Sequence, residues 1–217
     1  MPLLNVIVDL YHNDTVDPAN GFHDMKDAGI RGIIHKATQG ADTVDPEYDL
    51  RRVRARSVGF LWGSYHFGVA GDPVGQADHY LRVINPAPDE IMTLDFEPYA
   101  PGDTMTFAEA EQFVARVHDQ TGRYPLLYSG SSFLLDQFGS RTKTETILAH
   151  CPLWVARYGP SAPAIPPAFD DFVLWQYTDG GVGLQPHTVP GVGRCDRNKF
   201  NGTVAALVEL WGGQADD

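Results

Sequence analysis

Asp95 and Glu97 stand one residue apart at the end of the apolar run Ile91-Met92-Thr93-Leu94-Asp95-Phe96-Glu97. The run reads as a buried strand that finishes in charge. Side chains i and i+2 of a strand share a face, so the two carboxylates should point the same way with Cα atoms roughly 6.6 Å apart. Two acids on one face repel and shift each other's pKa, so that one can hold a proton while the other stays ionised. Cleavage of a glycosidic bond uses that division of labour. The plain alternative is a strand end running into solvent.

A pair of acids is useful only if other elements bring partners to it. Short apolar runs recur along the chain, and the candidate strands are Asn5–Leu10, Gly32–Ala37, Phe60–Phe67, Ile91–Glu97, Pro125–Ser129, Leu153–Tyr158, Phe172–Tyr177 and Val192–Asp196. Helical patterns follow the first four. Asp17-Pro18, Asp45-Pro46 and Asp72-Pro73 each place a capping Asp before a Pro at the first helical position. Thr106-Phe107-Ala108-Glu109 has the form of a capping box, and Gly29 and Gly59 are helix stops. This alternation predicts an α/β protein built as a parallel, TIM-like β/α barrel. The second half is degenerate. Gly159–Pro167 carries too many prolines for a regular crossover helix, and the Gly- and Pro-rich stretch from Tyr177 to Val192 reads as a hairpin or loop, so some later strands are free to run antiparallel. No linker divides the chain, and residues 1–217 are read as one domain.

In such barrels the chemistry sits at the carboxyl ends of the strands. Those ends give Asp9, Lys36, Tyr65, Phe67, Asp95, Glu97, Tyr128, Tyr158, Gln176, Tyr177 and Asp196. Acids bond hydroxyls and aromatic faces stack on sugar rings. Trp175 is a further stacking candidate, although it lies on the opposite strand face from Gln176.

Composition narrows the partners. The chain of 217 residues has 16 basic and 28 acidic residues, a net charge of −12, which argues against nucleic acid or an anionic membrane. No apolar run reaches the length of a spanning helix. The first residues, Met1-Pro2-Leu3-Leu4-Asn5, lack the basic and apolar regions of a signal peptide. Cys151 and Cys195 are too few for a disulfide framework, and whether they pair is open. Asp9 and His12 with His35 or His66 could suggest a metal site, but no ligand spacing supports one, and no metal or cofactor is expected. Ser129-Gly130-Ser131-Ser132 is not a nucleophile elbow, because Gly-x-Ser-x-Gly is absent.

From about Val6 to Leu207 a set of segments occurs in a specific order: Val8-Asp9; Ile34-His35-Lys36-Ala37-Thr38-Gln39-Gly40, then Asp45-Pro46; Gly63-Ser64-Tyr65-His66-Phe67, then Gln76-Ala77-Asp78; Leu94-Asp95-Phe96-Glu97; Pro152–Tyr158; Leu174-Trp175-Gln176-Tyr177; and Asp196-Arg197-Asn198-Lys199-Phe200. Together they resemble glycoside hydrolase family 25, the muramidases also called Chalaropsis-type or phage-type lysozymes. The resemblance implies an irregular β/α barrel that cleaves the β-1,4 bond between N-acetylmuramic acid and N-acetylglucosamine in bacterial peptidoglycan. It implies Glu97 as general acid, Asp95 assisting, and Asp9 and Asp196 completing an acidic cluster. The family is described as retaining, with either an attacking carboxylate or the substrate's own acetamido group. Two departures are visible: the family's usual Lys-Ala-Thr-Glu-Gly has Gln39 in place of the Glu, and the usual polar stretch after the first Asp is Leu10-Tyr11-His12-Asn13-Asp14 here, and both put substrate preference in doubt more than fold.

The expectation is therefore a monomeric, bacteriolytic, wall-degrading glycosidase. It would have Glu97 protonated and Asp95 ionised, and Lys36, Tyr65, Phe67, Tyr128, Tyr158, Trp175 and Gln176 around the substrate. It would act outside the cytoplasm after release by an unclassified secretion route or at phage lysis. Two alternatives stand beside it: a glycan-binding barrel without catalysis, and a metal-dependent deacetylase of the same polymer.

Overall fold

The computed structural model describes residues 3–212; the readings made on Met1-Pro2 and on the last five residues fall outside them. Eleven strands occur in the order β1 (Leu3–Leu10), β2 (Gly32–Gln39), β3 (Thr43–Val44), β4 (Leu61–Phe67), β5 (Glu90–Asp95), β6 (Leu126–Gly130), β7 (Leu153–Ala156), β8 (Leu174–Thr178), β9 (Thr188–Val189), β10 (Gly193–Arg194) and β11 (Asp196–Asn201). Six helices accompany them: α1 (Gly21–Asp27), α2 (Tyr48–Ser57), α3 (Pro73–Ile84), α4 (Phe107–Thr121), α5 (Ser131–Phe138) and α6 (Val204–Leu210). Strands β1, β2, β4, β5, β6, β7, β8 and β11 close into an eight-stranded barrel, because β1 pairs with both β2 and β11.

Seven barrel strands are parallel neighbours, and β11 runs antiparallel to both β8 and β1. Helices bridge the strands up to β6, and α5 with two short 3-10 turns leads into β7. The chain from β8 to β11 holds only the small β9–β10 hairpin and returns antiparallel, whereas the link from β7 to β8, also without a helix, is long enough to bring β8 in parallel. The expected last strand, Val192–Asp196, is corrected accordingly. Asp196 opens β11 instead of ending a strand, and the reversal still sets it opposite Asp9 at the same mouth.

The local signals divide. Asp72 caps α3 by accepting from the Gly75 amide, with Pro73 next, and Thr106 with Glu109 forms a reciprocal capping box on α4. Gly29 and Gly59, at φ 88° and 81°, supply the left-handed turn just past α1 and α2. Asp17 and Asp45 instead fold the turns before α1 and α2: Asp17 accepts from the amides of Ala19 and Asn20, and Asp45 from that of Glu47. These helices start at Gly21 and Tyr48.

Two apolar layers separate by strand face. One cluster holds Ile7, Ile34, Ile91, Leu126, Tyr128, Trp154, Leu174 and Phe200 with Leu207 and Trp211. The other holds the alternating neighbours Val8, Ile33, Trp62, Met92, Leu94, Leu127, Leu153 and Val155 with the helices. The first is the barrel interior. Trp211, beyond α6, closes its lower end, its indole N–H donating to the Trp62 carbonyl at 2.9 Å. With the bottom filled, polar inward side chains gather at the other end.

Candidate active site

Toward the mouth the inward face becomes polar on several strands, on β5 through Thr93, two residues past Ile91. Ile7 gives way to Asp9, Thr93 to Asp95 and Leu174 to Gln176, while Asp196 enters on the reversed strand. Asp9, Tyr65, Asp95, Glu97, Tyr128, Trp154, Gln176 and Asp196 line one cavity of about 80 Å³. All four predicted carboxyl groups are therefore brought together, along with Tyr65, Tyr128 and Gln176. The premise for the first pair changes in one respect. Strand β5 stops at Asp95, so Glu97 reaches the cavity from the loop that follows, not from a shared strand face.

The polar atoms form a directed network. The Gln176 amide nitrogen donates to Asp9 at 3.0 and 3.2 Å, while its oxygen accepts from the hydroxyls of Tyr128 at 2.8 Å and Tyr158 at 2.7 Å. Asn198 donates to Asp9 at 2.7 Å and accepts from the Trp154 indole at 2.8 Å. Asp9 is thus held on one side by two side-chain amides. Asp95 differs: its Oδ1 is buried and has no hydrogen-bond partner.

Burial raises all four carboxyls above the ordinary range. For Asp9 it outweighs hydrogen bonds from Asn198 and Gln176 that pull the other way. Asp196 is raised by burial, then by the charge of Asp9 and a hydrogen bond to it, so Asp196 carries the proton of that pair. Asp95 is raised well above its usual value by burial and then by Glu97, and Glu97 is raised by burial and then by Asp9. Lys36 lowers both. Asp95 is the deeper of the two carboxyls, and both are pushed by burial toward holding a proton.

Lys36 and Phe67 stand beside the cavity. The Lys36 ammonium donates to Gln39 Oε1 at 2.6 Å and lies 5.2 Å from the Phe67 ring centre. Tyr158 lines an adjoining cavity together with Glu97 and Tyr128. Trp175 is not brought into either. It is buried on the outward face, its indole donating to the Arg157 carbonyl at 2.8 Å and the Lys199 ammonium 4.9 Å from its ring. Tyr177 also points away, toward Asn5 and the Pro186 carbonyl.

The histidines weighed for a metal do not meet there. His35 contacts the Lys36 carbonyl and Arg51, and His66 lies between Thr38 and Gln76, both in the layer beneath the helices. Among the described residues no group of three or more His, Cys, Asp or Glu side chains is placed to hold a metal ion. Cys151 and Cys195 are buried and unpaired. Sequence reasoning missed Trp154 and Asn198. Asn198 follows Asp196 by two and so shares its face, but what marks Asn198 and Trp154 is their hydrogen bond across 44 residues of chain.

Compared with known proteins, residues 8–184 match the profile of Glycosyl hydrolases family 25. The chain belongs to glycosyl hydrolases family 25. Lysozyme M1 of Streptomyces globisporus is 30% identical over 200 residues, 86% of this chain and 65% of that protein. An N,O-diacetylmuramidase of a Chalaropsis species is 28% identical over 75% of this chain and 83% of its own. The crystal structure of a bacterial lysozyme from Streptomyces coelicolor superposes with a TM-score of 0.83 at 28% identity, covering 99% of this chain and 100% of that one. The chain spans between 52% and 65% of the length of several curated relatives it matches. Family 25 membership accounts for the closed mixed barrel and its degenerate second half.

Proposed function

We propose that this chain is an N-acetylmuramidase, a lysozyme that hydrolyses the β-1,4 bond between N-acetylmuramic acid and N-acetylglucosamine in bacterial peptidoglycan. The observation that carries the reading is the convergence of Asp9, Asp95, Glu97 and Asp196 with Tyr65 and Tyr128 in one cavity at the barrel mouth. The names of the family 25 relatives, lysozyme and N,O-diacetylmuramidase, support it.

In this reading Glu97 is the general acid. It is half-buried and borders both cavities, so it can reach a glycosidic oxygen lying across them. Asp95 assists through its unpartnered Oδ1. A substrate N–H or O–H bonded there favours ionised Asp95 and leaves the proton on Glu97. Asp9, held by Gln176 and Asn198, and protonated Asp196 complete the cluster. Lys36 tunes its charge. Tyr65, Tyr128 and Tyr158 are the sugar-contacting aromatics, and Gln176 positions Asp9 and two tyrosine hydroxyls. The barrel acts as one catalytic domain, with every group invoked supplied by this chain, and it works on a wall outside the cytoplasm.

The test is mass analysis of soluble products from purified peptidoglycan, with reducing ends identified. Reducing muramic acid ends are expected. Reducing glucosamine ends, deacetylated intact strands or released peptides would overturn the assignment.

A further inference from the structure

A second cavity of about 600 Å³ opens between the first turn of α5 and the chain after β7. Glu97 and Tyr128 line both it and the acidic cavity, so the two form one groove with Glu97 at the junction. Their charges are opposed. The smaller cavity is lined by four carboxyl groups and no cation. The larger has one acid, the shared Glu97, and one cation, Arg157, with Ser132, Phe133, Tyr158 and Val182 in its walls.

Arg157 is exposed, and among the described residues its guanidinium forms no salt bridge. The charges that act on Glu97 are those of Asp9 and Lys36, so Arg157 is not committed to it. Its backbone is fixed, the N–H donating to the Gln176 carbonyl at 3.0 Å and the carbonyl accepting from Trp175 at 2.8 Å. What sets Arg157 apart from other exposed arginines without a salt bridge, such as Arg31 and Arg194, is that it lines the groove beside Glu97.

Peptidoglycan alternates a neutral sugar with one bearing a lactyl ether. That ether ends in a carboxylate or continues into a peptide that carries carboxylates. The acidic cavity repels such a group, and a planar guanidinium binds it with two parallel hydrogen bonds. We propose that the larger cavity receives the carboxylate-bearing substituent of muramic acid and that Arg157 binds its carboxylate, fixing which sugar lies on which side of Glu97. This rests on the muramidase reading of the same groove.

The test is binding, so it does not depend on turnover. Titrations followed by NMR compare wild type, Arg157→Gln and Arg157→Lys with three probes. N-acetylmuramic acid offers the lactyl carboxylate, N-acetylmuramyl-L-alanyl-D-isoglutamine offers only a peptide carboxylate, and triacetylchitotriose is neutral. Arg157→Gln should lower the affinity for a carboxylated probe relative to chitotriose about tenfold, the scale of one charge-assisted hydrogen bond. Arg157→Lys should recover part of it, and matched melting temperatures exclude misfolding. Loss on the first probe identifies the lactyl group, and loss on the second alone identifies the peptide. An unchanged ratio for both, or no binding of either by wild type, overturns the proposal. Failure of the muramidase reading shows separately, as the wrong reducing ends.

Discussion

The two faces of the barrel strands carry similar residue types and use them differently. On β2, Lys36 faces the mouth while its neighbour His35 is buried beneath the helices; on β4 the same holds for Tyr65 and His66, and on β8 Gln176 faces the mouth while Trp175 is buried outward against Arg157 and Lys199. The outward His66 has Thr38 on one nitrogen and Gln76 on the other, and the unpartnered atoms of that layer, Tyr48 Oη, Trp62 Nε1 and Ser129 Oγ, are isolated neutral groups. Inward groups are left short. Four carboxyls crowd one cavity, and Asp95 Oδ1 has no partner. The difference teaches that burial alone does not mark function here. The signal is several ionisable groups of one sign gathered without a compensating partner, which a ligand can supply.

The sharpest way to break the comparison is at Glu97. Glu97→Gln keeps shape and removes the transferable proton, so kcat should fall by about 10² to 10⁴ with the melting temperature little changed. Turnover near wild type would reassign the acid.

Neighbours on one strand give the next contrast. Trp175→Ala should cost about 3–5 kcal/mol of unfolding free energy and leave kcat of the folded enzyme within a few-fold, read by denaturant titration beside steady-state kinetics. Gln176→Leu should do the reverse. It strips Asp9 of one amide donor and two tyrosine hydroxyls of their acceptor, lowering kcat/KM about tenfold. If both variants lose activity through stability alone, the two faces are not functionally distinct.

The faces should also titrate in opposite senses. Asp9, Asp95, Asp196 and Glu97 have folded pKa values raised by burial, so the folded state holds more protons than the unfolded. Their contribution is fully present below about pH 4, the unfolded value, and is lost as pH rises through the raised values. Burial depresses His66 to about 3 and lowers His35 as well. That contribution is present above about pH 6.5, the unfolded value, and is lost as pH falls. Melting temperature should therefore decline on both sides of a mildly acidic optimum. Asp196→Asn should flatten the alkaline decline, and His66→Gln the acid one. An alkaline decline unaffected by Asp196→Asn would contradict the assignment.

The smallest effect is expected at Gln39. It accepts from Lys36 without neutralising it, and Lys36 lowers both Asp95 and Glu97. Gln39→Glu should cancel part of that charge and move the basic limb of the pH–rate profile upward. A downward shift would exclude Lys36 as the cause.

Much of this arrangement was legible in the sequence, because period-two alternation and charged strand ends are local signals. Asp9, Asp95 and Gln176 were found that way. Glu97 was found with them, although it leaves the strand before reaching the cavity. What was not legible depends on distant partners. The reversal of β11 is set by its pairing with β1 and β8, so Asp196 was placed at the right mouth by the wrong strand. Trp175 reads as a sugar platform from its type, and only its face decides otherwise. Asn198 and Trp154 gain their meaning from each other and from Asp9, across 44 and 189 residues of chain.

The central claim is that carboxyls lifted by burial at the barrel mouth perform acid catalysis through Glu97. The pH dependence of wild-type kcat/KM on purified peptidoglycan tests it most directly. The account predicts a bell whose basic limb lies above the ordinary glutamate range and disappears in the residual activity of Glu97→Gln. A profile with no basic limb, or one that Glu97→Gln leaves in place, would contradict it.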